Sequence, residues 1–212
     1  MKLYYYEHCP FCIRVLMLIH YKNIPVEKIV LLNDDEKTPI SMIGQKMLPV
    51  LQKGNGEFMP ESLDIIDYLD GLGKRILPAP VVSESISNWL QEARHPTREL
   101  TYPRMIRHPF EEFSTQSARD YFESKKSKSI GVFSEHMANS EQLLVDLQPK
   151  LQVLDNWIAG LNHEHLTWDD IYLFPYLLQL ALVDAIIWPE NVKRYLLTKS
   201  KALQLPTYTV ID

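Results

Sequence analysis

In the first third of the chain, short segments with the hydrophobic pattern of a strand alternate with segments whose apolar residues recur at helical spacing. Residues 2–6 are rich in aromatic side chains, which predicts a strand. From Pro10 onward, apolar residues recur at helical spacing and cover the helix almost all round. Because such a helix is buried on more than one side, we expect one face to pack on a sheet and another on a second domain.

The same alternation continues to about residue 72. Residues 26–32 predict a second strand, which must cross over to pair parallel with the first. A short helix over residues 38–43 should end at Gly44. Two strands then flank a hairpin turn at residues 53–56, and a further helix follows. On that helix Asp70 should share a solvated face with two other aspartates. The order β-α-β-α-β-β-α indicates a small sheet flanked by helices.

After residue 72, almost no segment has the hydrophobic pattern of a strand. Residues 73–83 contain the Gly and Pro typical of a linker. Four later segments predict helices, namely residues 86–90, 118–122, 143–157 and 171–187. We therefore expect an α/β domain over residues 1–72, a linker over residues 73–83 and an all-α domain over residues 84–212.

The most apolar stretch of the second half lies at residues 171–188 and is long enough to suggest a membrane span. It contains Pro175 and Asp184, which favours a buried core helix. The start of this helix carries a capping-box pattern, because Thr167 can cap it and Asp170 stands three residues later. We therefore expect no membrane association from this segment.

The charge and the chain start narrow the classes of function. A formal net charge of −5 over 212 residues argues against nucleic-acid binding. The one basic cluster, residues 125–128, predicts a solvated loop. The first residues lead directly into structure without the apolar segment of a signal peptide. We therefore expect a cytoplasmic location, where cysteines stay reduced unless they are catalytic.

The only two cysteines, Cys9 and Cys12, follow the first strand and begin the first helix. Backbone N–H groups and the helix dipole stabilise a thiolate at such a helix start, and the thiolate is the attacking species. Cys12 lies one turn further on, within reach of Cys9. The pair therefore predicts reversible disulfide chemistry. A protonated His8 would lower the thiol pKa further, although we expect its side chain to point into solvent.

Two other uses of a Cys-x-x-Cys pair are less well supported by this sequence. A closed zinc site needs about four Cys or His ligands, and no second pair has matching spacing. His163 and His165 stand in a polar segment and are expected to be surface residues, so no metal is predicted. A purely structural disulfide does not suit a reducing compartment.

Two further short segments are placed to build a binding site beside the thiols. Pro49 begins a strand and so belongs at an edge or a bulge, and a cis bond would turn the backbone of Leu48 toward the thiols. Ser62 begins a helix, where it can cap that helix or present its N–H and hydroxyl to a carboxylate. Glu61 can pair with an ammonium group. A ligand that carries both charges at one end would suit this pair.

Taken together, Cys-Pro-Phe-Cys at residues 9–12, Leu-Pro-Val at residues 48–50 and Pro-Glu-Ser at residues 60–62 resemble the glutathione site of a glutaredoxin. The helical second half resembles the C-terminal domain of glutathione transferases. The whole chain is similar to the two-domain bacterial glutaredoxins of the glutaredoxin 2 type. This resemblance implies a thioredoxin-like N-terminal domain followed by a transferase-like helical domain. Phe11 departs from the family, which commonly has Tyr there.

The resemblance also implies a glutathione-dependent thiol–disulfide oxidoreductase. Cys9 would attack a protein disulfide or a glutathione mixed disulfide, Cys12 would resolve the intermediate, and glutathione would restore the enzyme as a co-substrate rather than a bound cofactor. The implied partners are glutathione and disulfide-containing or glutathionylated proteins. The protein is expected to be a monomer. The implied glutathione contacts are Cys9, Phe11, Leu48, Pro49, Glu61 and Ser62, and Arg14 and Lys22 are candidates for its glycine carboxylate.

Two rival functions share this architecture. A glutathione transferase would conjugate electrophiles between the domains, but it does not need Cys12. Intracellular chloride-channel-like proteins share the two-domain plan and a Cys-Pro-Phe segment, but they usually keep only the first cysteine. The presence of Cys12 therefore favours the oxidoreductase over both alternatives.

Overall fold

The structure, a computed structural model, describes residues 1–160 and 165–208. A mixed sheet has the strand order β2-β1-β3-β4, in which β1 pairs parallel with β2 and antiparallel with β3, and β3 pairs antiparallel with β4. The predicted crossover and hairpin are confirmed. The strands are β1 (Lys2–Tyr5), β2 (Glu27–Val30), β3 (Val50–Gln52) and β4 (Phe58–Met59).

Three helices accompany the sheet and the others in the described residues form the second half. They are α1 (Pro10–Tyr21), α2 (Lys37–Ile43), α3 (Ser62–Asp70), α4 (Glu84–Glu92), α5 (Arg94–Met105), α6 (Gln116–Ile130), α7 (Phe133–Ala138), α8 (Ser140–Ile158), α9 (Trp168–Leu180) and α10 (Glu190–Leu203), with a short 3-10 helix at Glu111–Phe113. This layout confirms the fold class, a small α/β sheet layer followed by an all-α layer.

Helix α1 lies at the centre of the molecule. It packs on α3 beside the sheet and on α9 and α10 of the helical half. Its apolar side chains are buried all round, as expected, including Ile13 and Met17. Each fully buried side chain of this size contributes about 1.5–3 kcal/mol. One continuous hydrophobic core therefore joins the two halves through α1.

The prediction that Asp70 faces solvent is wrong. Asp70 is only 1% exposed, and its carboxylate accepts hydrogen bonds from Lys22 Nζ at 3.0 Å and from the backbone N–H of Leu77 at 3.0 Å. Burial raises the pKa of Asp70, but these bonds outweigh burial and bring the pKa below its ordinary value. Asp70 thus fastens the segment after α3 to the end of α1.

The helical half differs from the prediction in three ways. Helices α5, α7 and α10 were not predicted, and α9 ends at Leu180 rather than residue 187. The basic cluster at residues 125–128 lies within α6 and not in a loop. The capping box of α9 is confirmed, since Thr167 and Asp170 bond each other's backbone N–H groups. Among the described helices, none has the combined length and apolarity required to cross a bilayer.

Candidate active site

The junction between β1 and α1 fixes the position of both thiols. Cys9 is the N-cap of α1 with extended backbone angles, and Pro10 follows as the first helical residue, where its missing N–H costs nothing. The carbonyl of Cys9 accepts the N–H of Ile13 at 2.9 Å. Cys9 is half-buried, whereas Cys12 is fully buried and its sulfur accepts the N–H of Tyr6 at 3.4 Å. Both cysteines are free thiols.

The two thiols have opposite pKa shifts. The pKa of Cys9 is lowered to about 6, mainly because the Cys12 thiol donates a hydrogen bond to its sulfur. Burial opposes this shift, while the neighbouring His8 and the backbone N–H groups of Cys12 and Phe11 assist it. The pKa of Cys12 is raised, first by burial and then by its bond to Cys9. At neutral pH, Cys9 is therefore the thiolate and Cys12 holds the proton.

His8 does not point into solvent, contrary to the sequence-based expectation. It is 7% exposed and its ring stacks on Tyr6 and Phe113. Its Nδ1 lies 2.6 Å from Oε1 of Glu112, which also accepts the backbone N–H of His8 at 2.9 Å. Glu112 is fully buried. Burial raises the pKa of Glu112, but the bonds to His8 bring that pKa below its ordinary value.

Residues 7 and 8, directly before Cys9, are held by hydrogen bonds from the helical half. Gln179 donates its amide to the carbonyl of His8 at 2.8 Å, and Tyr208 donates its hydroxyl to the carbonyl of Glu7 at 3.0 Å. The backbone N–H of Glu111 donates to the Glu7 carboxylate at 2.7 Å. The second half of the chain therefore positions the segment that leads into Cys9.

A cavity of about 440 Å³ lies between the two halves, directly against Cys9. The sheet side contributes Phe11 and Leu48, and the facing wall consists of side chains from α5, α6 and α9. Phe11 is 47% exposed at this cavity. The size is in the range of small-ligand sites. The helical wall comprises Arg94, Thr97, Arg98, Tyr102, Tyr121, Phe122, Lys125, Lys126, Tyr176 and Gln179.

The other glutathione candidates lie off this cavity. The bond between Leu48 and Pro49 is cis, and Pro49 is buried. Glu61 is exposed and has a φ of 66°, in a region that non-glycine residues rarely adopt. Ser62 is buried and is the first residue of α3, so the N-cap of that helix is Glu61 and not Ser62. Glu61 makes no side-chain capping bond.

Two cationic candidates are used elsewhere in the structure. Lys22 is bonded to Asp70 and to the carbonyl of Lys74, away from the cavity lining. Arg14 is 5% exposed and its guanidinium lies 4.2 Å from the ring centre of Tyr172 and 5.0 Å from that of Phe11. Arg14 therefore packs beneath the exposed Phe11 ring as a buried cation.

No group of three or more His, Cys, Asp or Glu side chains could hold a metal ion within residues 1–160 and 165–208. Of the histidine pair considered from the sequence, His163 lies outside the described residues.

Comparison with known proteins covers both halves of the chain. The family model described as Glutaredoxin 2, C terminal domain, matches residues 85–211. The model described as Glutathione S-transferase, N-terminal domain, matches residues 3–74. Glutaredoxin 2 of Escherichia coli (strain K12) is 43% identical over 207 residues, which is 97% of this chain and 96% of that protein.

Solved structures agree with this assignment. The crystal structure of Glutaredoxin 2 from Salmonella typhimurium in complex with glutathione matches with a TM-score of 0.92 at 43% identity, over 98% of this chain and 96% of that chain. A glutathione S-transferase of Ceriporiopsis subvermispora in complex with glutathione matches with a TM-score of 0.69 at 15% identity, over 100% of this chain and 98% of that one. The second likeness shows a shared fold alone. The match across both halves shows that the chain belongs to the glutaredoxin 2 family and is a glutathione-dependent oxidoreductase.

Proposed function

We propose that this chain reduces glutathione mixed disulfides and protein disulfides through Cys9 and Cys12, with glutathione as the reductant. The observation that carries the proposal is the placement of the two thiols, because Cys9 is half-buried at the N-cap of α1 beside the cavity and Cys12 is fully buried within the first turn. The pKa shifts agree with this placement, about 6 for Cys9 and above the ordinary value for Cys12. A thiolate beside a protonated thiol is the arrangement that attack and resolution require.

A glutathionylated protein is reduced in two exchange steps. The Cys9 thiolate attacks the glutathione sulfur, the mixed disulfide bond breaks, and the protein leaves as a thiolate that takes a proton from water. A glutathione thiolate then attacks the Cys9–glutathione disulfide, which releases oxidised glutathione and restores the Cys9 thiolate.

A protein disulfide needs Cys12 as well. Attack by Cys9 leaves the protein linked to Cys9 by a mixed disulfide. Cys12 then gives its proton to the first released protein thiolate and attacks the Cys9 sulfur. The bond between Cys9 and the protein breaks, the Cys9–Cys12 disulfide forms, and the second protein sulfur leaves as a thiolate that takes a proton from water. Two glutathione molecules reduce that disulfide and leave as oxidised glutathione.

In the same proposal, glutathione binds along the edge of the sheet domain. Its sulfur contacts Cys9 beside Phe11, and its backbone forms hydrogen bonds with Leu48 next to Pro49. Its γ-glutamyl end contacts Glu61 and Ser62 at the start of α3. The exposed Glu61 carboxylate, presented by an unusual backbone conformation, supports this placement. Titration calorimetry should show weaker glutathione binding for Glu61→Gln than for the parent or for the exposed control Glu92→Gln; equal binding by all three would contradict it.

We also propose how the chain is divided into domains and in what state it works. The domains are residues 1–72 and 84–212, joined by a linker over residues 73–83. The enzyme works as a monomer in the reducing environment of the cytoplasm, where glutathione is available. Sedimentation of the purified protein across a concentration series checks the oligomeric state, and a concentration-dependent dimer would overturn that point.

The central test compares two single variants on two substrates. Cys9→Ser should lose activity toward both a glutathionylated peptide and a protein disulfide. Cys12→Ser should keep activity toward the glutathionylated peptide and lose most of it toward the protein disulfide, because only the second reaction needs the resolving thiol. Undiminished activity in Cys9→Ser would contradict the proposed mechanism.

A further inference from the structure

The cavity beside Cys9 carries a local excess of positive charge. Among the described residues that line it, five are cationic and none is Asp or Glu, whereas the whole chain has a formal charge of −5. A cleft lined by one sign of charge attracts ligands of the opposite sign. The five are Lys46, Arg94, Arg98, Lys125 and Lys126.

Two of these charges are already matched by neighbouring groups. Lys125 Nζ lies 3.9 Å from a carboxylate oxygen of Glu36. Lys46 donates a hydrogen bond to the carbonyl of Asn33, and its Nζ lies 3.7 Å from the ring centre of Tyr121. The carboxylates of Asp34, Asp35 and Glu36, in the loop before α2, act on Lys46 as well. They offset the positive charge at this end of the cavity.

The other three charges have no carboxylate partner among the described residues. None of the ion pairs formed within residues 1–160 and 165–208 includes Arg94, Arg98 or Lys126. The two arginines stand one turn apart on the same face of α5. Lys126 Nζ on α6 lies 5.3 Å from the ring centre of Tyr102 and 5.5 Å from that of Phe122. All three cations line the cavity on its helical side.

The position of these three cations relative to Cys9 indicates which kind of ligand they bind. The residues proposed to hold the γ-glutamyl end of glutathione, Glu61 and Ser62, do not line this cavity. Cys9 is half-buried at the cavity. When a substrate protein brings its disulfide to this sulfur, the side chains that flank the substrate's disulfide therefore lie against the helical wall of the cavity. The volume of about 440 Å³ admits several such side chains.

We infer that Arg94, Arg98 and Lys126 bind acidic side chains next to the modified cysteine of a protein substrate. The inference rests on the proposed function and narrows its substrate class to glutathionylated or disulfide-bonded cysteines in acidic surroundings. An acidic neighbour also raises the pKa of a cysteine thiol and slows its own exchange with free glutathione. An enzyme with a cationic wall is suited to these substrates.

The test uses glutathionylated peptides of equal length whose single cysteine is flanked by Asp or by Asn. For the parent protein, kcat/KM for deglutathionylation should be about fivefold higher with the Asp peptide, as two or three partly exposed ion pairs provide. The ratio should fall as the salt concentration rises to about 0.5 M, because screening weakens exposed pairs. Arg94→Gln/Arg98→Gln should bring the ratio close to one, and Lys126→Gln should lower it by a smaller factor.

The matched control is Arg194→Gln/Lys201→Gln, which removes the same charge from exposed positions on α10. This variant should keep the ratio of the parent. A parent ratio near one overturns the inference, and so does an equal loss for both peptides in Arg94→Gln/Arg98→Gln, which would assign the arginines to glutathione itself. The proposed function has a separate readout, because it fails only if the parent does not reduce the Asn peptide or if Cys9→Ser still does.

Discussion

Cys9 and Cys12 occupy the same turn of α1, and yet their sulfurs differ in exposure and in protonation. The difference has a local cause, because Cys12 is fully enclosed and shares its proton with Cys9. The fixed spacing brings the two sulfurs within hydrogen-bond reach, and the deeper burial of Cys12 makes them differ. The motif therefore predicts the pair, whereas the exposure of each thiol depends on the fold around it.

Replacing Cys12 by Ala removes the main cause of the low Cys9 pKa. In the parent, the rate of alkylation by iodoacetamide should rise with pH around a midpoint of about 6 and level off above it, because only the thiolate reacts. In Cys12→Ala the midpoint should move to higher pH. Cys12→Ser is the control, since its hydroxyl still donates a hydrogen bond and should give a midpoint between the other two. Identical profiles for all three proteins would contradict this cause.

The pair of His8 and Glu112 leads to a stability prediction. Glu112→Gln replaces a buried carboxylate under His8 and should lower the free energy of unfolding by about 2 kcal/mol at pH 7, within the range for a weakened buried charge-assisted bond. Because the folded pKa of Glu112 lies below the ordinary value of 4.5, the contribution is present above that pH and is lost as the pH falls through the folded pKa.

Urea unfolding at several pH values measures this effect. A double-mutant cycle with His8→Gln separates the pair from other contacts, and the two variants should be strongly non-additive. Additive losses, or a loss that grows toward low pH, would contradict the coupling between the two side chains. The sequence could not reveal this pair, because the two residues stand 104 positions apart and neither belongs to a motif.

At the scale of single elements, the predictable helices are those with local signals. Helix α1 has Pro10 at its first position and a dense apolar pattern, and α9 has a complete capping box. Helix α5 has neither, because its buried positions include Thr97 and Thr101, and it contains Pro103. It forms because neighbouring helices cover it, and this tertiary effect is absent from a local pattern. For the same reason, the sequence did not predict the side chains of α5 that line the cavity.

The cap of α9 should contribute measurably to stability. Thr167→Ala removes the side-chain oxygen that accepts the N–H of Asp170 at 3.2 Å, and should lower the free energy of unfolding by about 1 kcal/mol. Thr198→Ala, at an exposed position inside α10, is the control and should change it by less than about 0.5 kcal/mol. Equal effects of the two substitutions in urea unfolding would show that the cap is unimportant.

At the scale of the whole molecule, the two halves share one hydrophobic core through α1. We expect them to unfold in a single cooperative transition. All four tryptophans lie beyond residue 83 and report on the helical half, whereas both cysteines report on the sheet half. Tryptophan fluorescence and the accessibility of the Cys12 thiol should therefore give the same midpoint in urea. Two separated midpoints would show that the halves unfold independently.

The hydrogen bonds that reach residues 7 and 8 from the helical half have a consequence for protein engineering. A chimera that joins this sheet half to the helical half of another transferase-like protein would keep the Cys-Pro-Phe-Cys motif. It would lose the Glu112 carboxylate, the Gln179 amide and the Tyr208 hydroxyl unless the new partner supplied equivalents. Exchange of modules within this architecture is therefore restricted to donors that carry the same three groups, whatever their overall similarity in shape.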